Sequence, residues 1–185
     1  MRLKKIILII LLLSSTSCTL FERTKVQVEK LLDPSYDKDF IESSNYFILK
    51  EGKIKYFNLP SCIPNKYQYE IGIVQKVIDG DSIIVSIKGY EKEVRYIGID
   101  APEFQPETKI IAQKAMDENK KLVFGEIVLL FKDKSDTDKY GRLLRYVFTS
   151  EYFINLELTL RGVADIKTYP PDIACNYLFI QENQK

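Results

Sequence analysis

The stretches Ile71-Gly-Ile-Val-Gln-Lys-Val-Ile-Asp-Gly-Asp-Ser82 and Glu93-Val-Arg-Tyr-Ile-Gly-Ile-Asp-Ala-Pro-Glu103 decide the fold of this chain. Apolar and β-branched residues dominate three short runs, at positions 71–78, 83–87 and 94–99, and an Asp-Gly-Asp sequence separates the first two. Runs of this kind with turn residues between them are typical of β-strands. We therefore predict three consecutive strands with polar residues concentrated at their ends.

Four carboxylates follow these predicted strands: Asp79, Asp81, Asp100 and Glu103. Carboxylates gathered at strand ends repel one another unless a positive charge lies among them. Arg95, within the third run, is one candidate for that charge, and a hard metal cation is the other. The chain contains no His, which removes the usual zinc ligand and the usual general base at neutral pH. Ligation by oxygen alone suits Ca²⁺ or Mg²⁺.

The composition is compatible with one ordinary domain and an appendage, since the chain has 185 residues, of which 45% are hydrophobic and 29% charged. The formal net charge is +1, but three of the positive charges, Arg2, Lys4 and Lys5, lie at the extreme N-terminus. Without them, 24 basic residues face 26 acidic ones. This balance argues against a protein that coats nucleic acid by bulk positive charge.

The N-terminus has the pattern of a bacterial export signal. A basic start precedes an apolar run at positions 6–13, which is too short to span a bilayer, and small residues then lead to Cys18. The position of Cys18 resembles the lipobox of bacterial lipoproteins, in which the Cys is acylated. We therefore expect a signal peptide over residues 1–17 and a lipid anchor at Cys18 that holds the protein to a bacterial membrane, at the cell surface or in the periplasm. The alternative is an ordinary cleaved signal with an incidental Cys.

Residues 18–69 show no sustained periodicity and are interpreted as a tether. Within it, positions 46–50 and 55–59 can pair as a small β hairpin. Cys62 and Cys175 are the other two cysteines of the chain. An exported protein can join such a pair, but a single pair without a disulfide framework favours two free or buried thiols.

A helix is predicted after the third strand. Pro106 and Glu107 are suited to a first helical turn, and apolar residues recur at helical spacing, at Ile111, Ala112, Ala115, Met116 and Leu122.

Two further strands, at 126–132 and 143–149, complete a set of five. Positions 153–160 fit a second helix that ends at Gly162, although the alternating leucines equally fit a strand. This order of elements is compatible with an α+β domain built on a five-stranded Greek-key barrel of the OB type, covering residues 70–185.

Three motifs resemble, in order and spacing, the signatures of the staphylococcal nuclease (thermonuclease-like) family. They are Val77-Ile-Asp-Gly-Asp-Ser82, Arg95-Tyr-Ile-Gly-Ile-Asp-Ala-Pro-Glu103 and Thr137-Asp-Lys-Tyr-Gly-Arg142. The resemblance extends from about residue 71 to the C-terminus. It implies the same OB-type barrel and a Ca²⁺-dependent enzyme that hydrolyses phosphodiester bonds of DNA and RNA, and we expect a monomer.

The resemblance also assigns roles to the site residues. It implies that Asp81, Asp100 and the backbone carbonyl of Ala101 hold Ca²⁺, and that Glu103 orients or deprotonates the attacking water. It implies that two arginines bind the phosphoryl group, because a planar guanidinium contacts two oxygens at once. The residues implied to bind phosphate are Arg95 and Arg142 at the reacting group and Lys139 and Tyr140 at the terminal phosphate, with Tyr169 available to stack on a base.

The end of the chain, 176–185, resembles the opening of the family's final helix. We expect contacts of Tyr177, Leu178 and Ile180 with the barrel to hold it, and only marginal stability for the domain. Two other functions remain open for this fold: a nucleic-acid-binding module with weak catalysis, and an adhesion lipoprotein.

Overall fold

The computed structural model of the chain describes residues 46–50, 53–57 and 59–185. Its first two segments are strands β1 (Tyr46–Lys50) and β2 (Lys53–Phe57), which pair antiparallel. The sequence predicts a hairpin here with its second strand at positions 55–59, two residues later than β2. The predicted signal peptide, Cys18 and the first part of the tether lie outside the described residues. Within the described part, no helix is both long and apolar enough to cross a bilayer.

Five of the following strands close into a barrel. The further elements are β3 (Tyr69–Val77), β4 (Ser82–Ile87), β5 (Tyr90–Tyr96), β6 (Ile99–Asp100), α1 (Lys109–Val123), β7 (Ile127–Phe131), β8 (Leu143–Phe148), α2 (Ile154–Leu160), β9 (Asp165–Ile166) and α3 (Asn176–Glu182). The barrel order is β3-β4-β5-β8-β7, and its pairs are antiparallel except for the parallel pair β5–β8. The predicted five-stranded OB-type barrel with helices is therefore confirmed.

The barrel interior is filled by the apolar side chains that alternate along the strands, among them Ile83, Val85 and Val94, which are fully buried. Burial of such side chains is the main favourable contribution to folding. Aromatic rings from strands and helices also pack together in the core. Phe148 and Phe153 stack with their ring centroids 4.2 Å apart, and Phe131, Tyr146 and Phe179 surround them.

The third predicted strand is broken in the structure. β5 ends at Tyr96 and the chain turns before the short β6, which pairs with β9 outside the barrel. Gly98 occupies the turn with φ of 81°, a conformation that favours glycine. A Cβ added there would lie 2.6 Å from Cε2 of Phe179. The continuous apolar run conceals this break because residues on both sides of it are buried.

Helix α1 begins at Lys109, later than Pro106 and Glu107 indicate. The preceding residues form a turn in which the Thr108 hydroxyl donates to the carbonyl of Glu103 at 2.5 Å. The apolar residue Ile111 is 52% exposed, so its predicted place on the buried face is wrong. The buried residues of α1 are Ala112, Ala115, Asn119, Leu122 and Val123. Positions 153–160, which fit either a helix or a strand in the sequence, contain helix α2, and Gly162 with φ of 63° lies just after it.

The last helix, α3, is held by a different residue from those predicted. Phe179 is fully buried, whereas Tyr177 is 76% exposed and Ile180 is 40% exposed. Leu178 is partly buried against the core. Two of the three predicted anchors, Tyr177 and Ile180, were therefore wrong, because Phe179 rather than either neighbour faces the aromatic group.

Cys62 and Cys175 form a disulfide, with their Cα atoms 5.0 Å apart. The expectation of two thiols was wrong, because the fold brings the segment before the barrel against the residue that precedes α3. Leu59 and Ile63 are buried in the same core. The packed domain thus includes residues N-terminal to the boundary predicted at position 70.

Candidate active site

The Asp79-Gly80-Asp81 turn between β3 and β4 directs Asp81 toward the interior. The Asp79 side chain accepts a hydrogen bond from the Asp81 backbone N–H at 2.9 Å, so Asp79 shapes the turn. Asp81 is only 5% exposed. Its Oδ2 accepts the backbone N–H of Ala101 at 2.6 Å, which ties the turn to the residue that follows β6.

Arg95 joins the two strand-end aspartates. Its Nε lies 3.1 Å from Oδ1 of Asp81, and its Nη2 lies 2.9 Å from Oδ1 of Asp100. Its Nη1 donates to the carbonyls of Tyr96 and Ile99, both at 2.9 Å. The guanidinium is thereby fixed across the turn between β5 and β6. Arg95 is therefore a positive charge that lies between these two carboxylates. A metal cation, the other candidate, stays a prediction.

Burial raises the pKa of Asp81 to about 7, an effect only partly offset by the charge of Arg95 and the N–H of Ala101. A buried carboxylate is costly to ionise unless enough positive charge lies beside it. Asp81 and Asp100 share one arginine, and a cation bound at Asp81 would further favour its ionised form.

The donor set available here fits a hard divalent cation. It consists of the carboxylates of Asp81 and Asp100, which contact the same guanidinium, and the backbone carbonyl of Ala101, the residue whose N–H donates to Asp81. All of these donors are oxygen atoms, which Ca²⁺ and Mg²⁺ prefer. Among the described residues, no group of three or more His, Cys, Asp or Glu side chains is arranged to hold a metal, so solvent or substrate oxygens would have to complete the coordination.

Arg142 lies just before β8, where β8 runs parallel to β5 beside Arg95. Asp138 fixes it: the Arg142 Nε donates to Oδ2 of Asp138 at 2.7 Å, and the Arg142 backbone N–H donates to Oδ1 at 3.0 Å. Burial lowers the pKa of Arg142, but the charges of Asp138, and more weakly of Glu93 and Asp81, outweigh it, so the pKa of Arg142 is raised. The Arg142 guanidinium is therefore within electrostatic reach of Asp81.

Lys139 and Tyr140 lie in the same turn and are exposed to solvent. The Lys139 ammonium is 4.9 Å and the Arg142 guanidinium carbon 5.5 Å from the centroid of the Tyr140 ring. This group forms a cationic and aromatic surface beside the carboxylates, a combination suited to a phosphate with an attached base.

Glu103 is the predicted site residue that the structure leaves apart. Its side chain is exposed in the loop between β6 and α1. The contacts that hold it are made by its backbone carbonyl, which accepts from Thr108 and from the N–H of Gln105. Within the described residues its carboxylate has no ion pair, so it is free to face a water molecule or a substrate.

Three site residues were missed or given another role by sequence reasoning. Tyr169, expected to stack on a base, donates its hydroxyl to Oδ1 of Asp100 at 3.4 Å. Burial first, and then the charge of Asp100, raises the pKa of Tyr169. Tyr96 and Asn119 form a buried hydrogen-bonded pair behind the Asp-Gly-Asp turn. A polar residue at a buried position of the α1 pattern was the only signal for Asn119.

The fold and the site define an OB-type barrel protein in which two strand-end carboxylates lie beside two arginines that neighbouring groups hold in place. The chain belongs to the family of staphylococcal nuclease homologues, whose model matches residues 93–184. The match includes Arg95, Asp100, Glu103 and Arg142, and Asp81 lies just before it.

Individual relatives agree with the family. The chain is 38% identical to the thermonuclease of Staphylococcus intermedius over 116 residues, which is 61% of this chain and 68% of that protein. It is 34% identical to the thermonuclease of Staphylococcus hyicus over 129 residues, or 68% and 73% of the two chains. It is 35% identical to the endonuclease YncB of Bacillus subtilis over 104 residues, or 54% and 49%.

Proposed function

We propose that this protein is a nuclease that hydrolyses phosphodiester bonds of DNA and RNA with Ca²⁺ as its cofactor. The observation that carries the proposal is the position of Arg95, which forms ion pairs with both strand-end carboxylates, at 3.1 Å from Asp81 and 2.9 Å from Asp100. Membership of the family and the similarity to thermonucleases and an endonuclease support it.

Asp81, Asp100 and the carbonyl of Ala101 would hold the ion. When bound, Ca²⁺ supplies a positive charge that polarises phosphoryl oxygens and offsets the negative carboxylates. An anionic substrate would otherwise meet a site whose aspartates repel it. The geometry supports this assignment, because Asp81 is only 5% exposed and shares a single arginine with Asp100.

The remaining residues act on the phosphate and the water. Water attacks phosphorus as the bond to the leaving oxygen breaks, and Glu103 orients this water or accepts its proton. Arg95 and Arg142 bind the phosphoryl oxygens as negative charge builds on them. Lys139 and Tyr140 would contact a neighbouring phosphate, and the exposed ring of Tyr169 would lie against a base.

The test is cleavage of single-stranded DNA and of RNA by the purified protein, with Ca²⁺ and with excess EDTA. We expect both substrates to be cleaved with Ca²⁺ and neither in EDTA. Undiminished cleavage in EDTA would remove the metal from the proposal. Binding of nucleic acid without cleavage would indicate a binding module, and neither binding nor cleavage would leave the adhesion function.

We also propose that the enzyme acts outside the cytoplasm of a bacterium, attached to a membrane through an acylated Cys18. The support is the sequence alone: a basic start, an apolar run and small residues before Cys18. Metabolic labelling with a palmitate analogue should mark the full-length protein, and Cys18→Ser should abolish the label. Equal labelling of both proteins would disprove the anchor at this residue.

A further inference from the structure

Helix α1 packs closely against the turn that carries Asp81. A Cβ added to Gly80 would lie 2.7 Å from Cβ of Ala115 on α1 and 2.5 Å from Cβ of Ala101. One helical turn after Ala115, the side chain of Asn119 donates its Nδ2–H to the carbonyl of Asp79 at 2.9 Å. The turn therefore touches α1 at two successive positions of one helix face, once by van der Waals contact and once by a hydrogen bond.

The same asparagine also binds the strand that carries Arg95. The hydroxyl of Tyr96 donates to Oδ1 of Asn119 at 2.9 Å, and the backbone N–H of Tyr96 donates to the carbonyl of Asp81 at 2.9 Å. Together with the bond from the Asp81 N–H to the Asp79 side chain, these contacts form a closed set of hydrogen bonds. The set joins the end of β5 to the Asp-Gly-Asp turn through Asn119.

This group of polar atoms is deeply buried, since Asn119 is 0% and Tyr96 is 1% exposed. Burying an amide and a phenol is unfavourable unless their hydrogen bonds are made. An apolar residue at position 119 would fill the space without that cost but would leave the Asp79 carbonyl without this partner. The polar pair is thus explained by the groups it connects rather than by packing.

We infer that Asn119, with Tyr96, is a positioning residue that sets the spacing between Asp81 and Arg95 at the active site. Its side chain is fully buried, so it cannot itself contact a substrate bound at the surface. It acts by holding the Asp79 carbonyl on one side and the strand next to Arg95 on the other. The inference rests on the proposed function, and it assigns a role to a helix that contributes no proposed ligand.

The test uses Tyr96→Phe, which retains the ring and removes the hydroxyl, and Asn119→Leu, which removes the amide. Tyr146→Phe is the matched control, because Tyr146 is also 1% exposed and its hydroxyl donates to Asp133 at 3.0 Å, away from the turn. Amide hydrogen exchange is measured by NMR on the Ca²⁺-free proteins. We expect exchange at Asp81 and Tyr96 to rise about tenfold in Tyr96→Phe, the scale of one buried hydrogen bond, and to keep its wild-type rate in Tyr146→Phe.

The functional readouts are the Kd for Ca²⁺ by calorimetry and kcat/KM, both measured well below the Tm of each variant. Tyr96→Phe should raise the Kd by about five- to tenfold, and Tyr146→Phe should lower the Tm without changing the Kd. Wild-type exchange at Asp81 in Tyr96→Phe, or equal acceleration in Tyr146→Phe, would overturn the inference even if Asn119→Leu failed to fold. If the wild-type protein neither bound Ca²⁺ nor cleaved nucleic acid, the proposed function would fall, while the exchange data would still decide whether Asn119 positions the turn.

Discussion

At the scale of single residues, Arg95 has the most constrained environment in the site. It forms ion pairs with two carboxylates and donates to two backbone carbonyls, and its side chain is 11% exposed. A lysine has the same charge, but its compact ammonium cannot span the two aspartates or contact two phosphoryl oxygens in one plane. Charge alone is therefore insufficient at this position.

Arg95→Lys should lower kcat/KM by a factor that corresponds to about 2–4 kcal/mol of transition-state stabilisation. Arg161→Lys is the matched control, because Arg161 also bridges two carboxylates, Glu157 and Glu118, each at 2.9 Å. Steady-state kinetics on single-stranded DNA, with circular dichroism to confirm folding, gives the answer. A folded Arg95→Lys enzyme within a few-fold of wild type would mean that Arg95 has only a structural role.

The pKa of Asp81, raised to about 7, has a consequence for stability without metal. In the unfolded chain an Asp titrates near pH 4, so between about pH 4 and 7 the folded chain binds this proton more tightly. The carboxyl therefore contributes a loss of stability as the pH rises through that window.

Asn at position 81 carries no charge at any pH, so the Tm of Asp81→Asn relative to wild type, measured in EDTA, should increase from pH 5 to pH 8. Thermal unfolding of both proteins at the two pH values measures this. A difference in Tm that does not change with pH would show that Asp81 ionises normally.

At the scale of elements, the strands were predictable because their apolar runs are short, β-branched and separated by turn residues. The break at Gly98 was not, because it depends on the Phe179 ring that packs there from the far end of the chain. The motifs similarly located Asp81, Arg95 and Asp100. The contacts of Tyr169 and Asn119 with the site were hidden, because they arise from tertiary packing of β9 and α1.

Helix α3 provides a test of which residue anchors it. Phe179→Ala should destabilise the domain by about 3–5 kcal/mol, the usual cost of removing a fully buried phenylalanine. Tyr177→Ala, at a position 76% exposed, should change stability by less than about 0.5 kcal/mol.

Urea unfolding of the two variants and the wild-type protein measures both effects. A larger loss in Tyr177→Ala than in Phe179→Ala would restore the anchors that the sequence predicted. The Phe179 ring packs on Gly98, which lies in sequence between Arg95 and Asp100. Phe179→Ala should therefore also weaken Ca²⁺ binding.

At the scale of the whole molecule, the disulfide changes the expectation of marginal stability. α3 has seven residues, and an isolated helix of that length is unstable in water. Cys175, directly before it, is bonded to Cys62 across a sequence separation of 113 residues. The Asp133 carboxylate adds to this support, because it accepts the Ala174 N–H at 2.9 Å. Two cysteines so far apart in sequence gave no sign that the fold would bring them together.

Removing this crosslink in Cys62→Ser/Cys175→Ala should cost about 2–5 kcal/mol of stability. Reductant should lower the Tm of the wild-type protein to a similar extent and leave the double variant unchanged. Thermal unfolding with and without reductant, with a count of free thiols, tests this. An unchanged Tm in wild-type protein whose thiols are all free would show that α3 holds without the bond.

The most direct test of the central claim, that the aspartates bridged by Arg95 form the catalytic centre, is the rate of single-stranded DNA cleavage as a function of Ca²⁺ concentration in Asp100→Asn. Asp117→Asn, at an exposed carboxylate on α1 that accepts from Gln113, is the matched control. We predict that the control keeps the wild-type rate and Ca²⁺ dependence, while Asp100→Asn needs far more Ca²⁺ and loses most of its activity. Wild-type cleavage by a folded Asp100→Asn protein would contradict the claim.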